Sequence, residues 1–469
     1  MADRHSRHVV VGGGIAGLLC ALLLSERKGL DVTLVEREPS VGGLLGRLDY
    51  DGAGTFDLGM HNMYETGIAN LDGLLYGLLP ADDWQILEGN RRDLAGSWFH
   101  GRLQVNSPYP DLRHGPADRT AVYRREVLAA AAAPTSAAAD GALDESVRLF
   151  GRSVTDDVIA PILSAQFRTD PRLLHRSALW LTNIHRVLLL DGDELLARAD
   201  EPGVRERIAF PEQRSLPPAW ASGRRAFYPR KYGMHRVVDA IVARLDAAGV
   251  RIVTSAQPVA LETASHGVGA VAVDHGHGAT ERIGVDRVFW TASPPALARL
   301  LGVDTGGFAF DHARPTWIVN VLLRDRPRMD DLYYFFNYSP EFDAFRVTNY
   351  SAYCDGAPRN GRFPVAVELL LADGGPPEAV AAQAIDELVR FGVVDGPDAA
   401  TFAAATRLAA GIPLLTAANM SSMADLHAAI ESANHPNLDV LGLMSHRGIF
   451  FQRDVLADVW RRVMEQPAP

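Results

Sequence analysis

Glycines at positions 12, 14 and 17 stand between an apolar run, Val9-Val10-Val11, and a second run, Val32-Thr33-Leu34-Val35, that ends on Glu36. Few folds accommodate that arrangement. A β-branched run reads as a strand buried on both faces, and the glycines permit a tight turn, close approach of backbone to a pyrophosphate, and close packing of helix on strand. The predicted unit is therefore strand, turn, helix and strand, with Ile15 and Ala16 in the first helical turn over the phosphates of a dinucleotide. Glu36 lies nineteen positions after Gly17, where a carboxylate accepts hydrogen bonds from an unphosphorylated ribose.

The chain has 469 residues, 47% of them hydrophobic and 22% charged. That is enough for about two to four domains and a large core. The net charge of -11 leaves no footprint for nucleic acid. Basic residues are nearly all arginine, so a mechanism that needs a lysine must use Lys28 or Lys231. Cys20 and Cys354 are the only cysteines, too few for a zinc site or a disulfide framework, and no metal site is expected. Cys20, on the apolar first helix, is expected in the core, whereas Cys354 stands in a polar stretch and is expected in an exposed loop. The basic N-terminus followed by an apolar run through Leu22-Leu23-Leu24 resembles a secretory leader. The glycines and Glu36 argue against that, and no other stretch reaches the ~18 apolar residues of a membrane span. A soluble, cytoplasmic protein with no membrane span is expected, with a homodimer left open.

After Glu36 come Arg37, then Gly42-Gly43-Leu44, then Phe56-Asp57-Leu58-Gly59-Met60-His61. A second glycine pair beyond the ribose acid implies a second close backbone approach, as a flavin dinucleotide needs and a nicotinamide one does not. The stretch from Val9 to His61 resembles the flavin-binding front of the amine oxidase, protoporphyrinogen oxidase, phytoene desaturase and UDP-galactopyranose mutase superfamily. Later segments match in order: Phe150-Gly151 with Pro161 and Asp170-Pro171; Tyr228-Pro229 with Gly233-Met234 and Val237 to Ile241; and Asp286-Arg287-Val288 with Thr291-Ala292-Ser293-Pro294. The resemblance implies an α/β fold: a Rossmann-like FAD-binding domain of the GR2 type with a discontinuous α+β substrate domain. The FAD-binding domain is expected over 1–74, 225–300 and 410–469, and the substrate domain over 75–224 and 301–409. It further implies FAD as cofactor, with Val259 against the adenine and Gly442, Arg447, Gly448 and Ile449 near the ring. By the residues themselves, Val237 to Leu245 is an amphipathic helix and Arg251 to Thr254 a strand. The alanine-rich stretch from Ala129 to Ala139 reads as a loop or frayed helix.

Because the cofactor supplies the redox chemistry, few side chains should look catalytic. Gly59-Met60-His61 resembles a mutase motif whose histidine lies beside the flavin; a packing histidine is the alternative reading. Phe345-Arg346-Val347-Thr348 resembles the mutase segment whose arginine holds the substrate diphosphate; a surface ion-pair residue is the alternative. Phe167, and Tyr350 within the aromatic cluster of Tyr333, Tyr334, Phe335, Phe336, Tyr338 and Tyr353, are expected to line the substrate. The mutase tyrosines before the last strand are absent at Gly411 to Leu414, and Leu443 stands where an arginine is expected. Amine oxidation lacks its flavin-side lysine, since Lys231 falls in another motif. Three functions remain: an FAD-dependent oxidoreductase acting by hydride transfer on a small polar metabolite, sugar- or nucleotide-linked; a redox-neutral sugar ring mutase using reduced FAD; and a non-catalytic flavin-binding protein.

Overall fold

The computed structural model describes residues 7–89, 94–134, 137–218, 220–221, 224–265, 267–276, 278–308, 310–372, 374–408, 411–445, 449 and 451–465. The chain divides into two compact units: Met1–Ile86, Ala226–Ala309 and Ser421–Pro469 form one, and Leu87–Arg225 and Phe310–Met420 the other.

The first unit is built on a five-stranded parallel sheet whose order across the sheet is Arg251–Val253, Asp31–Val35, Arg7–Val11, Arg287–Trp290, Leu438–Val440. Val9, Val10, Val11, Val32, Leu34 and Val35 are each 2% exposed or less, because helices cover both faces of such a sheet. Successive strands step outward from Arg7–Val11 in one direction, and then the chain crosses to the other side of that strand. Ligands of open α/β sheets bind at the carboxyl ends of the strands flanking such a reversal. Here those ends are Val11-Gly12 and Trp290-Thr291. Helix Ile15–Leu22 follows directly and packs on helices His235–Ala247 and Gln452–Trp460. His235–Ala247 buries Val237, Val238, Ile241 and Leu245, the stripe predicted from its spacing. A three-stranded antiparallel sheet, Gln257–Ala264, Gly267–Asp274 and Thr280–Gly284, and a hairpin of Arg47–Tyr50 and Gly54–Asp57 belong to the same unit.

The second unit carries a seven-stranded sheet, ordered Ala400–Arg407, Thr316–Leu323, Phe363–Leu370, Ala344–Asn349, Tyr334–Asn337, Ala95–Phe99, Arg102–Gln104. Its pairs are antiparallel except Tyr334–Asn337 with Ala95–Phe99. One face is the core: Trp317, Val319, Val321, Leu323, Phe335, Val347, Val365, Val367 and Leu369 meet Val380, Ala381, Ala384 and Leu388 of helix Pro377–Arg390. Alternation along the strands sends the intervening residues to the opposite face.

One sequence expectation gives way here. Cys354 is 1% exposed, because the short helix Tyr350–Tyr353 turns it inward and its amide bonds the Tyr350 carbonyl. Ala129 to Ala132 form the last turn of helix Ala117–Ala132, as the high helix propensity of alanine allows; Thr135 and Ser136 lie outside the described residues. No described helix is long and apolar enough to cross a membrane. Among the described residues no group of three or more His, Cys, Asp or Glu could hold a metal ion.

Candidate functional site

The glycines of the first unit each meet a different demand. Gly17 packs its α-carbon so tightly on the preceding turn that a β-carbon there would lie 1.8 Å from the Gly12 carbonyl oxygen. Gly12, at φ +103°, lies against Thr291, whose hydroxyl donates to the Val11 or Gly12 carbonyl. Gly14 differs: a β-carbon there would meet nothing within 4 Å. It is the N-cap of helix Ile15–Leu22, with extended backbone and no capping side chain. The first-turn amides of Ile15, Ala16 and Gly17 thus open onto space beside the positive end of the helix, the setting in which helix termini take up phosphate.

Around this opening the predicted residues converge. Gly42 forms a bridge with Gly14, its amide bonding the Gly13 carbonyl at 2.7 Å. Gly42 and Gly43 have φ of +120° and +56°, and a β-carbon on Gly43 would come within 3.2 Å of the Gly14 α-carbon, so the second glycine pair exists to let these backbones meet. Leu44 is 41% exposed. Glu36 accepts from the Gly13 amide at 2.5 Å through one carboxylate oxygen and from the Glu38 amide at 2.8 Å through the other. Two bonds leave about half of a carboxylate's lone-pair sites for ribose hydroxyls. The Ala256 amide bonds the Glu36 carbonyl, and the Ser255 amide bonds the Glu38 carbonyl, which brings the strand bearing Val259, 42% exposed, to the side of Glu36. Arg37 points away and pairs with Glu38 at 2.9 Å on the surface.

Gly442, at φ +100°, closes the opening from the last strand, where a β-carbon would lie 3.3 Å from the Thr291 carbonyl. Leu443 is 47% exposed, Ile449 is partly buried and its carbonyl meets the Met444 amide through the reverse pairing of that turn: Met444 donates to Ile449 at 2.9 Å. Arg447 and Gly448 lie outside the described residues.

The turn Gly59-Met60-His61 is held by Asp57, a buried carboxylate that sequence reasoning passed over. Asp57 accepts from the Tyr228 hydroxyl at 2.6 Å and from the Met234 amide at 2.9 Å, and its own amide donates to the Tyr232 hydroxyl. The Tyr-Pro and Gly-Met segment is thereby tied to the strand that precedes His61. Met60 is buried. His61 places Nε2 3.2 Å from the Leu58 carbonyl; if that contact is the neutral ring's N–H bond, the proton sits on Nε2.

In the second unit, Arg346 is no surface residue. Its Nε and Nη2 reach the two carboxylate oxygens of Glu368 at 2.8 and 2.9 Å, with side chains 19% and 5% exposed. Its guanidinium lies 5.7 Å and 6.0 Å from the Tyr334 and Phe336 ring centres. Burial alone would lower the pKa of this arginine, but the charge and hydrogen bonds of Glu368 outweigh it and hold it above the ordinary value. Tyr350 is fully buried and close enough to Arg346 to act on its charge. Phe167, 6% exposed, ends helix Ala160–Phe167, and its neighbour Gln166 donates to the Asn337 carbonyl. Tyr333, Phe335, Tyr338 and Tyr353 are core residues, each 4% exposed or less. Glu368 was legible only as the lone acid in an apolar strand, Val365-Ala366-Val367-Glu368-Leu369.

A dinucleotide-binding unit of this construction, joined in one chain to a separate sheet-bearing unit, defines a Rossmann-type two-unit protein. Residues 10–71 match the model of the NAD(P)-binding Rossmann-like domain. Over 50 residues, 11% of this chain, the sequence is 56% identical to a hydroxyneurosporene desaturase from Rubrivivax gelatinosus, and the stretch spans 9% of that relative's length. Among solved structures, reduced UDP-galactopyranose mutase superposes with a TM-score of 0.76 at 15% identity, covering 98% of this chain and 93% of that one. A protein from Exiguobacterium, provisionally described as a protoporphyrinogen oxidase, superposes with a TM-score of 0.65 at 15% identity over 99% of both chains. The chain thus has the fold of these two solved structures along nearly its whole length.

Proposed function

We propose that this protein is an FAD-dependent oxidoreductase acting on a small polar metabolite, sugar- or nucleotide-linked. The observation that carries the cofactor is the space at Gly14: in the turn 12–17, the one glycine whose side-chain position is open is the one at the helix start, where a pyrophosphate would lie. Gly42 and Gly43 let a second backbone segment run alongside it, and Glu36 offers carboxylate oxygens to ribose hydroxyls while its charge opposes a 2′-phosphate. Bound FAD would supply a hydride acceptor at its N5 position. The chain's residues would do the rest: the helix start neutralises phosphate charge, Asp57 fixes the turn bearing Met60 and His61, and His61 Nε2–H is held toward the Leu58 carbonyl. Arg346, Tyr350 and Phe167 would contact the substrate.

The redox-neutral mutase is the second reading, favoured by the superposition on UDP-galactopyranose mutase along almost the whole chain. Electron consumption separates the two. The purified protein is mixed anaerobically with candidate sugar nucleotides, free sugars and amines while its flavin absorbance is followed. Bleaching by a substrate alone is expected for the oxidoreductase. Turnover only after prior reduction of the flavin would establish the mutase instead. A protein that neither carries nor binds FAD would overturn both.

A further inference from the structure

The turn that follows the last strand of the parallel sheet has a backbone its sequence does not favour. The Ser445 amide donates to the Gly442 carbonyl at 3.2 Å, which closes a turn of four residues. Within it Met444 has a φ of +57°. A positive φ at the third position is the type II pattern, which selects glycine or asparagine, because a β-carbon there crowds the carbonyl that follows. Methionine occupies that position, so contacts from outside the turn must hold it.

Two tethers do so. The Met444 amide donates to the Ile449 carbonyl at 2.9 Å, a contact within the same loop. The Met444 carbonyl lies 2.6 Å from Nε2 of His427, a residue of helix Ala417–Ser432 seventeen positions earlier. A carbonyl oxygen can only accept, so the ring nitrogen donates, and Nε2 carries the proton in the neutral and the charged ring alike. Both partners belong to the first unit.

The place of this turn gives the tether its weight. A β-carbon on Gly442 would lie 3.3 Å from the Thr291 carbonyl and 3.7 Å from the Ala16 β-carbon, so the turn forms one side of the opening at the start of helix Ile15–Leu22. Release of Met444 from the left-handed region would re-aim the peptide that follows Leu443, which is 47% exposed. His427 also lines a cavity of about 230 Å³, together with Glu431, His435, Leu438, Val440 and Arg462. That is several times the ~30 Å³ share of one water, and room enough for a five-membered heterocycle.

We infer that His427 is a positioning residue for the cofactor: through the Met444 carbonyl it holds the strained turn in the form that lines the dinucleotide opening. The inference rests on the reading of that opening as the FAD site. A donor at the place of Nε2 is what the role requires, rather than the bulk or the charge of the ring.

The test uses the full chain, with FAD affinity read by calorimetric titration of the apoprotein and backbone amide exchange over residues 442–445 read by mass spectrometry. His427→Ala should weaken FAD binding by at least about fivefold and speed exchange in the turn. His427→Gln, whose side-chain amide nitrogen reaches the place of Nε2, should restore both. Imidazole added to His427→Ala should enter the cavity that the substitution enlarges and recover the affinity, while leaving the wild type unchanged. His435 lines the same cavity but has no side-chain hydrogen bond to the turn among the described residues, so His435→Ala should bind FAD as the wild type does. A folded His427→Ala protein with wild-type affinity would overturn the inference. So would a loss that neither glutamine nor imidazole recovers, because a ring that serves packing alone is not replaced by a donor; recovery by either supports the tether. Where His427→Ala does not fold, nitrogen-15 NMR of the wild-type ring decides: a proton on Nε2 supports the tether and its absence overturns it. Failure of the FAD assignment would show separately, as a wild type that takes up no cofactor, while exchange in the turn of the apoprotein and its recovery by imidazole still report on His427.

Discussion

Replacing Gly14 and Gly17 in turn by alanine separates the two uses of glycine in one turn. At Gly17 the new methyl would lie 1.8 Å from the Gly12 carbonyl oxygen and 2.9 Å from the Thr291 hydroxyl. Nonbonded carbon and oxygen do not approach within about 3 Å, so the helix must retreat from the strand by more than 1 Å. Overpacking of that kind costs about 1–3 kcal/mol, and the upper part of that range is expected because the obstacle is backbone. At Gly14 the methyl meets nothing within 4 Å and the backbone, at φ -70° and ψ 178°, suits any residue. Alanine there lowers the entropy of the unfolded chain but caps the helix less well than glycine, so the net change should stay within about 0.5 kcal/mol. The methyl would, however, occupy the approach of the pyrophosphate, and FAD affinity should fall at least about tenfold, or about 1.4 kcal/mol. Urea denaturation of the apoprotein measures the first effect and calorimetric FAD titration the second. Undiminished FAD affinity in Gly14→Ala, or unchanged stability in Gly17→Ala, would refute the reasoning.

Three further outcomes are expected. Asp57→Ala removes a 1%-exposed acceptor of the Tyr228 hydroxyl and Met234 amide and should lower stability by about 2–4 kcal/mol, read as a drop in the urea midpoint; a change below about 0.5 kcal/mol would contradict the clamp. His185 is part-buried between Trp180, 4.0 Å away in a stacked arrangement, and Tyr109, and desolvation pushes its pKa down to about 3. Because the unfolded ring titrates near 6.5, the stability it supports is complete above that pH and is lost as pH falls from about 6.5 toward about 3, on the order of several kcal/mol. His185→Phe should flatten the fall of the urea midpoint across that window, and an unaltered pH profile would count against it. Both cysteines are buried, and desolvation raises the Cys20 thiol well above its ordinary pKa. The native protein should therefore resist a thiol-specific reagent and both thiols should react in guanidinium; rapid labelling of the folded protein would contradict their placement.

The first unit was legible in sequence because its requirements are local. Gly12, Gly14, Gly17 and Glu36 act within one strand, turn, helix and strand, and the spacing of their residue types is the structure. The helix over Val237 to Leu245 and the strand at 251–253 followed from periodicity in the same way. What register and packing decide was not legible. Arg346 read equally well as a surface residue or a diphosphate ligand, because nothing within its own strand reveals that Glu368, twenty-two positions later, lies directly opposite. Cys354 sits in a polar stretch yet is buried, since a four-residue helix turns it inward. Asp57 acquired its role from Tyr228 and Met234, more than 170 positions away. The sequence by itself determined a dinucleotide-binding strand, turn and helix, because backbone sterics at glycine and the polarity of a helix start operate over a few residues. Only the tertiary structure decided which charges are paired and which polar groups are buried, because hydrogen-bond partners are chosen by strand register and by packing between segments distant in sequence.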